Sequence, residues 1–270
     1  MSQRISDCFE NAKAKERKVL VPFITAGDPE PEWTVSLMHA LVDAGCDMIE
    51  LGVPFSDPMA DGPVIQLASE RAIEKNVGLS SVLEMVKTFR NTDTRTPVIL
   101  MGYMNPIERY GQARLPADAT EAGVDGLFWV ECPPEERGDL GLALDDAGLD
   151  GICLIAPTTT RERVEKIARL ASGFIYYVSL KGITGAGDQG LPELADPVRQ
   201  IREFADLPIA VGFGIKNAAT AVNVAIHADA IVIGSALVET LSSSKSEEEA
   251  CAAAKAFVAP VRESLDNMFK

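Results

Sequence analysis

The chain repeats one unit, an apolar run of strand length followed by a segment with helical periodicity, and this repetition limits the folds that it can adopt. Eight such runs recur along the 270 residues. Their continuous apolar character is typical of parallel strands that are buried on both faces. The eight runs are Val19–Ala26, Asp47–Val53, Pro97–Tyr103, Gly126–Val130, Gly151–Ile155, Phe174–Leu180, Ile209–Phe213 and Ala230–Gly234.

Helical patterns separate these runs, and the alternation of β and α segments indicates an α/β protein. Eight units indicate a (β/α)8 barrel, also called a TIM barrel. The phrase Ala-Gly-x-Asp introduces three of the strands, at residues 44–47, 122–125 and 147–150, and its glycine suits a left-handed residue that ends a helix. The clearest helical patterns are Glu32–Ala44, Arg161–Ala171, Asp196–Phe204 and Ala218–His227.

The unit that follows the second strand is longer than the others. It begins with a loop rich in Pro and Gly and continues into two predicted helices, Val64–Lys75 and Leu79–Phe89. Because the loops after the strands of such a barrel carry the active site, we expect this enlarged loop to lie on the active-site face.

Both ends of the chain are predicted to add helices to a single barrel domain that spans residues 1–270. Ser2–Lys15 is amphipathic, and its residues Ile5, Phe9 and Ala12 share one side. Residues 246–249 are typical of a capping box that starts a final helix. We expect that helix to be kinked or restarted at Pro260.

The charge and the cysteines limit the classes of partner and the compartment. With 25 Lys and Arg against 40 Asp and Glu, the formal net charge is -15, which argues against nucleic acid or an anionic membrane as partner. No apolar run reaches the ~18 residues of a membrane span. The five cysteines are scattered, which fits a reducing cytosol and predicts a cytoplasmic protein. The two histidines predict no metal site.

Glu50 lies within an apolar run, where a charge is costly unless the site needs it. Strand alternation places Met48, Glu50 and Gly52 on one face and three aliphatic side chains on the other. The aliphatic face should meet the surrounding helices, so Glu50 should point into the barrel near its mouth. Burial should raise its pKa and suit it to give and take a proton. The alternative is a structural carboxylate that pairs with Lys or Arg.

A second carboxylate, Asp61, lies in the enlarged loop. One carboxylate on a rigid strand and one on a loop can supply an acid and a base at pH 7. The alternative is an ordinary Asp-Gly turn.

Glycine-rich segments follow the last three strands at residues 181–187, 212–217 and 234–235. At these strand ends, backbone N–H groups commonly bind a phosphate, and glycine permits close approach. The alternative is a set of ordinary tight turns. Residues 182–190 also predict a mobile lid. Phe23, Tyr103 and Phe213 predict an aromatic pocket at the same mouth, and alternation turns only one of Tyr176 and Tyr177 inward.

The chain closely resembles the α subunit family of tryptophan synthase along nearly its whole length. The most specific motif is Glu-Leu-Gly-Val-Pro-Phe-Ser-Asp-Pro at residues 50–58, followed by Ala-Asp-Gly-Pro at residues 60–63. Further matching motifs are Val-Pro-Phe-Ile-Thr-Ala-Gly-Asp-Pro (21–29), Met-Gly-Tyr-Met-Asn-Pro (101–106), Tyr-Tyr-Val-Ser (176–179), Gly-Ile-Thr-Gly (182–185), Gly-Phe-Gly-Ile (212–215) and Gly-Ser-Ala (234–236).

This resemblance implies a lyase that cleaves indole-3-glycerol phosphate to indole and glyceraldehyde 3-phosphate in tryptophan biosynthesis. It implies that Glu50 is the acid and base and that Asp61 accepts the indole N–H, with Thr184 helping to position Asp61. The implied indole pocket is Phe23, Leu100, Tyr103 and Phe213, with Tyr176 near the reacting centre. The implied phosphate site is Gly185, Gly214, Gly234 and Ser235.

The resemblance also implies a partner, a β subunit that carries pyridoxal phosphate, in an αββα heterotetramer. No cofactor is expected in this chain. Pro54–Met59 and Gly102–Gly111 are the candidate contact segments.

Two departures from the family pattern matter. Glu131-Cys132-Pro133 replaces Asp-Leu-Pro or Asp-Val-Pro after the fourth strand, and Leu180-Lys181 stands where some members have an arginine. Three other hypotheses stay open from the sequence. They are a Schiff-base aldolase that uses Lys181, a barrel that only binds and activates a partner, and a lyase that acts alone.

Overall fold

The strands close into a barrel. The structure is a computed structural model that describes residues 2–178, 194–212 and 214–268. Its eight parallel strands are hydrogen-bonded in sequence order, and the last strand pairs with the first. This confirms the predicted (β/α)8 architecture. The strands are β1 (Val19–Thr25), β2 (Ile49–Gly52), β3 (Val98–Gly102), β4 (Gly126–Trp129), β5 (Asp150–Ile155), β6 (Ile175–Val178), β7 (Ile209–Gly212) and β8 (Ala230–Ile233).

Helices surround the barrel, and two of them follow β2 as the enlarged unit predicts. Predicted and observed bounds differ by one or two residues, and β1, β2, β3, β4 and β8 each end one residue before the apolar run does. The described helices are α1 (Gln3–Ala14), α2 (Thr34–Asp43), α3 (Pro63–Glu74), α4 (Leu79–Arg90), α5 (Met104–Tyr110), α6 (Leu115–Ala122), α7 (Gly138–Asp146), α8 (Arg161–Leu170), α9 (Ala195–Arg202), α10 (Ala218–Ala225), α11 (Ser235–Leu241) and α12 (Glu247–Asp266).

The final helix excludes a restart at Pro260, one of the two alternatives expected there. It runs without a restart from Glu247 to Asp266 and includes Pro260. Val258 and Val261 are buried on either side of the exposed proline, so burial before and after it holds the helix in one piece.

The predicted capping box of that helix is half present. The Ser246 side chain accepts the Glu249 N–H, as expected. However, the Glu249 carboxylate accepts the N–H of Lys245 instead of that of Ser246.

The strands bury an inner and an outer layer of side chains. The outer layer contains Ile49 and Leu51 and packs against the helices. The inner layer fills the barrel and contains Met48, which directly precedes β2. Because side chains alternate along a strand, Glu50 points inward, as predicted.

The N-terminal end of the barrel is closed by α1, whose buried residues are Ile5, Phe9 and Ala12, as predicted. The Ala-Gly-x-Asp phrase acts at this end. Its glycines have positive φ, 94°, 85° and 74° at residues 45, 123 and 148. In two copies, the aspartate accepts a backbone N–H at the start of the preceding strand: Asp47 from Leu20 at 2.9 Å and Asp125 from Val98 at 2.8 Å.

Candidate active site

Glu50 lies at the C-terminal mouth of the barrel, in register with Phe23 of β1. Its side chain is 2% exposed, and its Oε2 has no hydrogen-bond partner among the described residues. Burial raises its pKa to about 8, with a further contribution from the negative charge of Asp61. Within the described part of the chain, no Lys or Arg forms an ion pair with Glu50, so the structural alternative of a paired carboxylate is not supported.

Tyr176 faces the same interior and lies next to Glu50. Its ring stacks on Phe128 with 4.9 Å between centroids and 9° between planes. Its hydroxyl hydrogen-bonds to Glu50, which partly offsets the effect of burial on the carboxyl pKa. Tyr177 lies in the outer layer, so one tyrosine of the pair turns inward, as predicted.

Gly212, on β7, gives the Tyr176 hydroxyl its room. A Cβ at this position would lie 2.4 Å from that oxygen, far inside van der Waals contact. Only glycine therefore fits here without moving the tyrosine away from Glu50.

Asp61 lies between β2 and α3, in a turn that its own backbone closes. Its N–H donates to the Pro58 carbonyl at 2.9 Å, and the Gln66 side chain donates to its carbonyl at 2.8 Å. The backbone thus matches the turn interpretation, yet the side chain is aimed at the site. Burial raises its pKa to about 6, and a hydrogen bond from Tyr103 opposes that rise.

Tyr103 holds this loop in addition to lining the mouth. It is 2% exposed, and its hydroxyl accepts the Ala60 N–H at 3.2 Å while it hydrogen-bonds to the Asp61 carboxylate. Its ring lies 5.4 Å from that of Phe55, centroid to centroid. The sequence predicted an aromatic wall here, but it gave no signal for the contact between the hydroxyl and the loop.

Leu100 does not join the pocket that the resemblance implied. It packs in the outer layer, between the strands and the helices. Its neighbours Ile99 and Met101 point into the barrel, and Met101 pairs with Gly52 beside Glu50. Alternation along β3 is the physical reason, and it places Met101 in the pocket instead. Counting alternation from Glu50 across the sheet could have identified Met101 from the sequence.

The strand ends predicted to hold phosphate are neighbours, because β7 pairs with β8. Gly214 is exposed just after β7, with φ of 24°. Gly234 precedes α11, and Ser235 is its first residue. The first N–H groups of a helix have no acceptor within the helix, so they are available at this mouth.

Several predicted site residues lie outside the described residues. They are Thr184, Gly185 and Phe213, together with the predicted lid (182–190) and Leu180-Lys181. Among the residues that the structure describes, no group of three or more His, Cys, Asp or Glu side chains could hold a metal ion. Nor does any described helix combine the length and apolarity that a membrane span requires.

Comparison with known proteins identifies the family. Residues 9–266 match the family model described as tryptophan synthase alpha chain. The chain is 55% identical over 263 residues to the tryptophan synthase alpha chain of Ralstonia nicotianae, covering 97% of this chain and 99% of that one. It is 56% identical over 244 residues to that of Chromobacterium violaceum, covering 90% and 92% of the two chains.

A crystal structure of tryptophan synthase subunit alpha from Legionella pneumophila superposes with a TM-score of 0.92. It is 46% identical, and the match covers 99% of this chain and 100% of that one. The chain belongs to the tryptophan synthase alpha chain family. Tryptophan synthase alpha chains are lyases that cleave indole-3-glycerol phosphate in tryptophan biosynthesis. The alpha chains of this family have no cofactor, and pyridoxal phosphate belongs to the β subunit.

Proposed function

We propose that Glu50 and Asp61 carry out the cleavage of indole-3-glycerol phosphate in this chain, with Glu50 transferring protons and Asp61 accepting the indole N–H. One observation carries this assignment. Within the described residues, the two carboxylates share a buried mouth and neither forms an ion pair with Lys or Arg, and their pKa values, about 8 and about 6, lie on opposite sides of neutrality. At pH 7, Glu50 therefore holds its proton in most molecules while Asp61 is mostly ionised.

The reaction uses each of these states. Glu50 protonates C3 of the indole ring, which places positive charge on the ring nitrogen. Ionised Asp61 accepts the N–H hydrogen bond and stabilises that charge. The bond between C3 and the carbinol carbon then breaks, and its electron pair returns to the ring. The Glu50 carboxylate takes the carbinol proton, so indole and an aldehyde leave and Glu50 ends protonated, as it began.

The barrel interior supports this chemistry by excluding water from the indole. Phe23, Met101 and Phe128 are buried inner-layer side chains near the carboxylates. A dry, apolar pocket suits the flat ring and strengthens the electrostatic effect of Asp61. We place the phosphate at Gly214, Gly234 and Ser235, at the ends of β7 and β8, with Gly185 as the further expected member.

Replacement of Glu50 tests the assignment. The amide of Glu50→Gln is close to the carboxylate in shape but can neither give nor take the proton, so indole release should fall by about 10³-fold or more. Circular dichroism and β-subunit binding should be unchanged. The exposed Glu136 gives a matched control, and Glu136→Gln should keep wild-type turnover. Normal indole release by Glu50→Gln would refute the assignment.

We further propose that the chain acts as a single domain in the cytoplasm, in an αββα assembly with a β subunit. The family match over residues 9–266 supports one domain and implies the β-subunit partner. The five cysteines are free thiols, which suits a reducing compartment. The exposed tip of the Asp61 loop, where Met59 is 82% exposed, offers apolar surface to a partner.

The assembly is tested by assaying indole release with and without a tryptophan synthase β subunit, while measuring the mass of the complex. Strong stimulation, together with the mass of two α and two β chains, is the expected result. Equal rates would favour a lyase that acts alone.

A further inference from the structure

We propose that Glu131 is a positioning residue for the catalytic pair. It holds the first turn of α5 and, through Tyr103, fixes the place of Asp61. The inference deepens the proposed function and rests on it. Glu131 is one of the two places where the sequence departs from the family pattern, and neither the fold nor the catalytic assignment explains it.

Glu131 reaches from the loop after β4 to the loop after β3. Its Oε1 accepts the Met104 N–H at 2.7 Å. Met104 is the first residue of α5, and the first N–H groups of a helix have no acceptor within the helix. A carboxylate at this position forms a charge-assisted hydrogen bond and also interacts favourably with the helix dipole. Glu131 therefore fixes where α5 begins.

The same peptide group belongs to Tyr103. The Met104 N–H and the Tyr103 carbonyl form one planar peptide group. The hydrogen bond to Glu131 therefore also restrains the backbone of Tyr103. Tyr103 is the N-cap of α5, with extended φ and ψ of −124° and 157°. Because the side chain is attached to this backbone, the restraint also sets the direction of its Cα–Cβ bond and so the position of the ring.

The far end of Tyr103 contacts the catalytic loop. Its hydroxyl accepts the Ala60 N–H at 3.2 Å and hydrogen-bonds to the Asp61 carboxylate. The remaining hydrogen bonds of Asp61 within the described residues involve its backbone, to Pro58 and from Gln66. Tyr103 is thus the described side chain that holds the Asp61 carboxylate, and Glu131 anchors it from the opposite end.

Charge reinforces this arrangement. The negative charges of Asp61 and Glu131 both favour the neutral phenol, which raises the pKa of Tyr103 in the same direction as its burial. The hydroxyl therefore keeps the proton that it donates to Asp61. Glu131 itself is exposed, so its replacement disturbs no buried packing.

Three variants test the role of Glu131. Glu131→Ala removes the acceptor, and we expect kcat/KM for indole release to fall about tenfold, mainly in kcat. Glu131→Gln retains an oxygen that can accept the Met104 N–H, so it should stay within about threefold of wild type. Glu136→Ala removes an exposed carboxylate from the same loop and should leave kcat/KM unchanged. Circular dichroism of each variant checks the fold.

A double-mutant cycle with Tyr103→Phe separates positioning from a general structural effect. If Glu131 acts through the tyrosine, Glu131→Ala should change kcat/KM by less than about twofold in the Tyr103→Phe background. Equal losses in the two backgrounds, or a Glu131→Ala variant as active as wild type, would overturn the inference. Failure of the wild-type chain to release indole would instead refute the proposed function, so the two failures are distinguishable. Assays without a β subunit exclude an effect on docking.

Discussion

Both ends of the barrel contain buried carboxylates, but their partners differ. At the N-terminal end, Asp125 forms ion pairs with Arg4 at 3.0 Å and with Arg90 at 2.8 Å. It also accepts the Ser2 hydroxyl at 2.7 Å and the Val98 N–H at 2.8 Å. At the C-terminal mouth, no Lys or Arg within the described residues forms an ion pair with Glu50 or Asp61.

The difference shows how one residue class serves two purposes in one fold. A buried carboxylate that is paired and fully hydrogen-bonded keeps its charge and ties segments together. A buried carboxylate without a cation has a raised pKa and can exchange a proton near neutrality. Asp125 therefore ties segments together at the N-terminal end, whereas the mouth retains reactive groups at a cost in stability.

Among the variants that test this comparison, Asp61→Asn should have the largest effect, which is on kcat/KM for indole release. In the wild type, kcat/KM should rise as Asp61 ionises near pH 6 and fall as Glu50 loses its proton near pH 8. The amide cannot ionise, so the rise at low pH should disappear. Because the charge that stabilises the indole nitrogen is lost, kcat/KM should also fall about 10²–10³-fold.

The measurement is kcat/KM for indole release at pH values from about 5 to about 9. Persistence of the low-pH rise in Asp61→Asn would assign that titration to another group. Undiminished activity would return Asp61 to a purely structural turn.

Asp125→Ala should have the next largest effect, a loss of folding stability. The substitution removes the shorter ion pair of Arg90, which is mostly buried and whose remaining described ion pair is with Asp93 at 3.9 Å, and it frees the Val98 N–H. Loss of one partner from a buried ion pair costs about 3–5 kcal/mol, measured as the free energy of unfolding in urea. The protein that remains folded should keep the wild-type kcat/KM and its pH profile, because Asp125 lies at the end of the barrel away from the mouth.

Asp118 gives a matched control for that experiment. It pairs with the exposed Arg114 at 2.9 Å and also accepts the Tyr110 hydroxyl at 2.5 Å near the surface. Pairs near the surface contribute little and a single hydrogen bond about 1 kcal/mol, so Asp118→Ala should cost at most about 1 kcal/mol. An equal loss in the two alanine variants would show that burial and pairing of Asp125 are not what stabilise the N-terminal end.

Much of this comparison could be predicted from the sequence. Buried parallel strands are continuously apolar, so their number and the inward direction of Glu50 follow from local pattern. The pairing of Asp125 with Arg4 and Arg90 does not follow, because it joins segments distant in the chain. From the sequence, the repeated phrase therefore predicts a helix-ending glycine before each strand but no partner for its aspartate.

The site shows the same limit. The apolar mouth was predictable, whereas the Tyr103 hydroxyl on the Asp61 loop depends on how two loops meet. The assignment of Leu100 to the indole pocket was wrong, because alternation along β3 turns Met101 inward and Leu100 toward the helices. The restart expected at Pro260 is absent because packing on both sides of a proline can outweigh its local cost.

On stability, Glu50→Gln should have the opposite effect to Asp125→Ala, a gain that depends on pH. Folding raises the pKa of Glu50 from 4.5 to about 8, so between these values the folded chain holds a proton that the unfolded chain has lost. Wild-type stability therefore falls as pH rises through this window and levels off above it. The amide has no such penalty, so its advantage should grow from zero below about pH 4.5 to about 4 kcal/mol near pH 8, at about 1.36 kcal/mol for each pKa unit. Urea unfolding of the two proteins across this range measures the difference, and an advantage independent of pH would mean that shape, and not the buried charge, separates them.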